Sequence, residues 1–187
     1  MYDYDKRESI MENLSLAESL MMKCDRSENV FKSLNIYTEV LNEFNDNNKD
    51  NDLELSHIAF SKICDCFFKV DNKTKICLVH LIKKFKKVFE YNLYIKMRIP
   101  ELIRDCINML KCSDPIARRC VLQLIKEMEY IVNLELLHGI FDLYCKEDIV
   151  SIDEKNEIKE ILKLLIKANG KFKKNVLGFI ERIKITL

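Results

Sequence analysis

Apolar residues recur at spacings of three and four almost from one end of the chain to the other, the pattern of amphipathic helices packed on a core. It predicts helices at about 9–24, 27–45, 53–70, 73–91, 100–112, 115–132, 134–146, 152–169 and 171–185. In the second, Val30, Phe31, Leu34, Tyr37, Val40, Leu41 and Phe44 form an inward stripe, and Ser27 suits the N-cap. The run "NDNNKDND" (45–52) is too polar to pack and reads as an exposed loop. Gly170 follows the eighth helix where a glycine commonly ends one.

The stretch "KCSDPIARRCVLQLI" (111–125) reads as a bend between two helices. Asp114 suits an N-cap, because its carboxylate can accept from the unpaired N–H groups of the next turn. Pro115 suits the first helical position, where its missing N–H costs nothing. "CSD" is then a turn of about three residues in an antiparallel helical hairpin, with its cysteines facing the seam.

The same arrangement occurs one period earlier. Aligning Asp71 with Asp114 places Lys75 on Arg118, Cys77 on Cys120, Leu78 on Val121, Leu81 on Leu124 and Ile82 on Ile125, an offset of 43 residues. Periods of about 40–47 residues belong to HEAT and armadillo repeats. The expected fold is all-α, a HEAT/armadillo-like α-solenoid over residues 1–187 treated as one domain. Its antiparallel helix pairs fall at about 9–45, 53–91, 100–132 and 134–169, with a capping helix at 171–187. In HEAT units the Asp and the basic residues of neighbouring repeats form a ladder that fixes the stacking angle. Asp71, Lys75, Asp114 and Arg118 are the positions for it here. The expected core includes Phe60, Ile63, Phe67, Cys77, Leu78, Leu81, Ile103, Ile107, Leu110, Cys120, Val121, Leu124 and Ile125. Arg118→Glu is expected to destabilise by about 1–3 kcal/mol if its ladder partner is buried.

Composition strengthens the helical reading. Only three Gly and two Pro occur in 187 residues, too few for the turns of a sheet protein. Net charge is +1 but unevenly spread. Residues 1–54 carry six basic against thirteen acidic side chains, a balance of −7, and residues 73–119 carry twelve against four, a balance of +8. The eight cysteines lie mostly in apolar helical runs, where a thiol behaves as a small hydrophobe. The acidic start "MYDYDKRESI" is no signal peptide, and no window reaches the roughly 18 apolar residues of a membrane span. The consistent setting is a reducing cytoplasm or nucleus, not secretion.

No chemistry emerges from the motifs. Cys64 and Cys66 point about 200° apart on one helix and cannot chelate together, and no C-x2-C pair exists. His57 and His80 have no partner at zinc-finger spacing, and His80 and His138 read as half-buried structural residues on apolar faces. Arg119 beside Cys120 could activate a thiol, but the recurrence at Cys77 points to packing. There is no glycine-rich phosphate loop, G-x-S-x-G or H-E-x-x-H. The reading is therefore not an enzyme, with no cofactor, metal or small-molecule substrate.

Binding remains. "KKFKK" (83–87) would put Lys83 and Lys87 on one helical face flanked by Lys84, with Phe85 turned inward. With Lys73, Lys75, Arg118 and Arg119 this forms a candidate basic ridge for nucleic acid, against the plainer reading of a solvated solenoid face.

Residues 57–131 also resemble the N-terminal helical-repeat region of the Integrator complex subunit 7 family. The matching features are the A-F-x-K-x-x-D step at Ala59, Phe60, Lys62 and Asp65, then Phe67, Val70 and Asn72. The basic-x-Cys step at Lys75 and Cys77 and the D-P-x-A-R turn at Asp114, Pro115, Ala117 and Arg118 complete the match. The resemblance implies a non-catalytic protein scaffold in a larger nuclear complex, associated with snRNA 3′-end processing and transcription termination. Its partners would be other protein subunits, with no membrane. The alternatives are a nucleic-acid- or ribosome-associated protein using the basic zone 73–119, or a coat or transport adaptor built from the same repeat.

Overall fold

The computed structural model describes residues 4–46, 52–90, 92–146, 148–168 and 172–184. Among these residues every regular element is helical and there is no strand. The chain divides into two units, Met1–Leu102 and Ile103–Leu187.

The first unit begins with α1 (Tyr4–Met21) and α2 (Ser27–Asp46), packed side by side across the short turn 22–26. Leu14, Ala17 and Met21 of α1 are buried, as are Tyr37, Val40, Leu41 and Phe44 of α2. Phe31 departs from the expected stripe and is 64% exposed. Its place inside is taken by Ser33, whose buried hydroxyl donates to the Ala17 carbonyl at 2.6 Å. Positions 31 and 33 lie about 200° apart on a helix, so turning Ser33 inward turns Phe31 out.

Helix α3 (Asp52–Phe67) packs on α1 and α2 through Leu55, Ala59, Phe60, Ile63 and Phe67. An ion pair from Lys62 to Glu18 ties α3 to α1. Within the predicted loop 45–52, Asn45 and Asp46 belong instead to α2 and Asp52 opens α3. Residues 47–51 lie outside the described residues, as does Gly170 with its predicted helix stop.

The helix expected at 73–91 is two helices, α4 (Asn72–Lys84) and α5 (Lys86–Glu90). The chain leaves helical geometry at Phe85 (φ −105°, ψ 18°), with no glycine or proline to mark the place. The anchor is tertiary. Buried Asn92 donates through Nδ2 to the Leu53 carbonyl and to Ser56 Oγ, both at 2.7 Å, which pins the end of this segment to the start of α3. Phe85 and Phe89 are buried, and the Phe89 ring lies 5.0 Å from that of Phe60.

Helix α6 (Ile95–Leu110) starts five residues before the expected Pro100. Pro100 is exposed in its second turn, where a single intrahelical bond is lost.

In the second unit, α6 contributes Ile103, Cys106, Ile107 and Leu110 to the core. The turn predicted before Pro115 is present, and α7 (Pro115–Glu127) follows it. A bend at Met128 and a 3-10 turn at Glu129–Ile131 replace the rest of the expected 115–132 helix. Asn133 caps α8 (Leu134–Tyr144), its Oδ1 accepting from Leu136 N at 2.8 Å. Helix α9 (Ile152–Ala168) packs along α7 and also touches α8 and α10 (Lys173–Ile183).

Candidate functional site

The two aspartates singled out from the sequence are both N-caps. Asp71 Oδ1 accepts from Lys73 N and Thr74 N at 2.8 and 3.0 Å, while Oδ2 accepts from Thr74 Oγ1 at 2.9 Å. Asp114 Oδ1 accepts from Ile116 N and Ala117 N at 2.9 and 3.3 Å. Burial alone would raise the Asp71 carboxyl. The bonds from Thr74, the Cys24 thiol and Lys73 N outweigh it and hold the group below its ordinary value.

Four residues after each cap stands a buried cation that turns back on its own turn. Lys75 donates through Nζ to the Val70 carbonyl. Arg118 donates through Nη1 to the Cys112 and Ser113 carbonyls at 2.9 and 3.1 Å. Arg118 then reaches further: Nε bonds Glu154 Oε1 at 2.7 Å, and Nη2 bonds Glu154 Oε2 at 3.1 Å and the Ile149 carbonyl at 3.0 Å. All five guanidinium N–H groups are thereby used. The pair joins α7 to the start of α9 within the second unit.

Glu154 is the residue the sequence reading missed, although it carries a signal: "SIDE" (151–154) before an apolar run is a capping box. Ser151 Oγ accepts from Glu154 N at 3.2 Å, and Glu154 Oε2 accepts from Ser151 N and Oγ at 2.9 and 3.0 Å. Burial pushes the Glu154 carboxyl up, but the bonds from Arg118 and Ser151 exceed that and hold it below the usual range.

The basic-ridge residues have mixed fates: Lys75 and Arg118, counted in the ridge from the sequence, are buried and belong to no exposed surface. Lys83, Lys84 and Lys87 are exposed around a buried Phe85, with Lys84 Nζ 5.1 Å from its ring centroid. The break at Phe85 puts Lys83 on α4 and Lys87 on α5, so they do not share one continuous helical face. Arg119 is exposed and paired to Asp153 at 2.9 Å.

Cysteine and histidine burial departs from expectation at four positions. Cys120 is buried as expected, but Cys77 is only half-buried and Cys112 likewise. His80 and His138 are exposed rather than half-buried. Cys64 and Cys66 are both buried, and no group of three His, Cys, Asp or Glu among the described residues could hold a metal.

Cys77 faces a groove of about 610 Å³ in the first unit, bounded by the α1–α2 turn, the first turns of α2 and the start of α4. Phe31, Val30 and Leu34 form its apolar wall, with Asp25, Asp71 and Lys73 at the rim.

These features define an all-α protein whose polar residues serve helix ends and helix contacts, with open grooves as its distinctive surfaces. No protein-family model, curated protein or solved structure matches the chain. Among the described residues no helix is long and apolar enough to cross a membrane.

Proposed function

We propose that the chain is a non-catalytic protein-interaction scaffold, built as a HEAT/armadillo-like α-solenoid of about four helix pairs with a C-terminal capping helix. The observation that carries this reading is the recurrence at an offset of 43 residues of one device: an Asp N-cap followed four residues later by a buried cation bonded to the preceding turn. Packing between next-but-one helices supports it, with α1 on α3 and α2 on α4 in the first unit and α7 on α9 in the second. Stacked helix pairs pack in this way. The resemblance to the Integrator subunit 7 family supplies the proposed setting, a nuclear assembly of protein subunits, and the groove beside Phe31 is the proposed contact surface.

The test is affinity purification of the tagged chain from its native cells beside a Phe31→Glu variant. Integrator-type subunits recovered with the first and lost with the second is the expected result. Coat proteins would move the reading to a transport adaptor, and no enriched protein would overturn the scaffold. The exposure of Lys83, Lys84 and Lys87 favours the second reading, direct nucleic-acid or ribosome association.

A further inference from the structure

Helices α8 and α10 both rest on α9, and a groove of about 410 Å³ runs between them. Phe141 and Phe179 form its floor, their rings stacked with centroids 3.8 Å apart and planes 10° from parallel. One wall is α10, where Lys174, Gly178 and Arg182 stand at successive i, i+4 positions and so share a face. The other wall is α8, where His138 and Asp142 stand one turn apart.

Three properties of this groove point to one kind of ligand. Lys174 and Arg182 are exposed, and neither has an ion-pair partner among the described residues. Between them Gly178 leaves a gap: a Cβ built there would meet nothing within 4 Å, and no positive φ requires glycine. A glycine inside a helix costs about 1 kcal/mol relative to alanine, yet here it serves no turn and no close contact. It leaves an open shelf between two cations, above an aromatic floor. Finally, Asp142 gives the α8 wall the opposite sign, so a dense polyanion meets repulsion there, whereas a peptide offers both carboxylates and N–H donors.

We propose that this groove binds an acidic peptide segment of a partner protein, two carboxylates flanking one apolar side chain. Lys174 and Arg182 are eight residues apart, about 12 Å along the helix axis. An extended strand rises about 3.3 Å per residue, so the carboxylates lie about four positions apart. The apolar side chain enters over Gly178 towards Phe179, and Asp142 accepts from the peptide backbone. The groove rests on the α8–α10 geometry alone, so its failure would leave the repeat reading standing.

The experiment is fluorescence anisotropy of a fluorescein-labelled heptapeptide, Glu-Glu-Ser-Leu-Ser-Glu-Glu, titrated with the whole chain at low salt. Saturable binding is expected, weakened at least about tenfold by Lys174→Glu/Arg182→Glu, by Gly178→Leu, or by replacing the peptide's Glu residues with Gln. Circular dichroism and melting confirm that each variant remains folded; the charge-reversal pair alters exposed side chains and keeps the test valid if Gly178→Leu unfolds. The charge-matched control Lys23→Glu/Arg26→Glu, on exposed cations of the first unit, should bind like the parent. The proposal is overturned by absence of peptide binding, by an equal loss in the control pair, or by a labelled single-stranded RNA binding the same residues more tightly.

Discussion

Arg118 and Glu154 face each other across 36 residues of sequence with two parallel N–H···O bonds, and their side chains are 1% and 0% exposed. A buried ion pair holds only when its remaining hydrogen-bonding capacity is met. Here the three other guanidinium bonds go to the Cys112, Ser113 and Ile149 carbonyls, and Ser151 fills the other side of Glu154.

Replacing Arg118 with Met should therefore cost about 3–5 kcal/mol, because it leaves a buried carboxylate unpaired. Arg118→Glu should cost at least as much, above the 1–3 kcal/mol expected from sequence, since it sets two carboxylates together. Arg118→Met/Glu154→Met should recover part of the loss but not all, since three carbonyls still lack their donor. Urea unfolding of the parent and the three variants measures each value.

The pair also predicts an acid response. Glu154 has its folded-state pKa depressed below the ordinary 4.5, so its contribution is fully present above that value and is lost as pH falls through the folded pKa. Asp71 is depressed as well and acts in the same direction. Unfolding free energy measured from pH 7 down to pH 3 should fall in the acid range, and Glu154→Gln should fall less steeply. An equal slope in the variant would remove Glu154 from the account.

Thiol labelling should sort the cysteines by burial. Cys145 is exposed and Cys24, Cys77 and Cys112 are half-buried, whereas Cys64, Cys66, Cys106 and Cys120 are buried. Burial also pushes the Cys66 thiol up to about 11 and raises that of Cys106, suppressing the reactive thiolate. Intact mass spectrometry after brief alkylation should show up to four modifications in native protein, with Cys145 first, and eight in denaturant. Early labelling of Cys106 or Cys120 would contradict the packing of the second unit.

Phe31 and Phe60 provide a contrast within the first unit. Phe31 is on the surface, so Phe31→Ser should change stability by no more than about 0.5 kcal/mol. Phe60 is fully buried against Phe89, and Phe60→Ala should cost about 3–5 kcal/mol. Thermal melts of both variants decide it, and a large loss from Phe31→Ser would place that side chain in the core after all.

For the lysines, Lys83→Ala/Lys84→Ala/Lys87→Ala should stay folded. If they contact phosphates, each lost contact lowers the log–log salt slope of duplex binding by nearly one unit, and less on single strands. Binding of the parent and triple variant to labelled RNA across a salt series reads this directly. Equal slopes would leave these lysines as a solvated face.

The sequence by itself determined where helices form and how several begin. Three- and four-residue spacing fixes which residues share a face, and Asp114 with Pro115 specifies a capped start whatever lies beyond it. The 43-residue offset was legible for the same reason, because caps and periodicity are local. Tertiary structure decided which face is covered. Ser33 turns inward because its hydroxyl donates a hydrogen bond to the Ala17 carbonyl, and that exposes Phe31. The helix breaks at Phe85, and seven residues on Asn92 is held by Leu53 and Ser56, more than thirty residues earlier in the chain. Cys77 and Cys120 match in sequence, yet one borders an open groove and the other is buried. Arg118 could be marked as a ladder position from the sequence, but neither its burial nor its carboxylate could, since Glu154 becomes its neighbour only once α9 lies along α7. The groove between α8 and α10 likewise exists only through packing, because Gly178 marks an opening only when Phe179 has met Phe141.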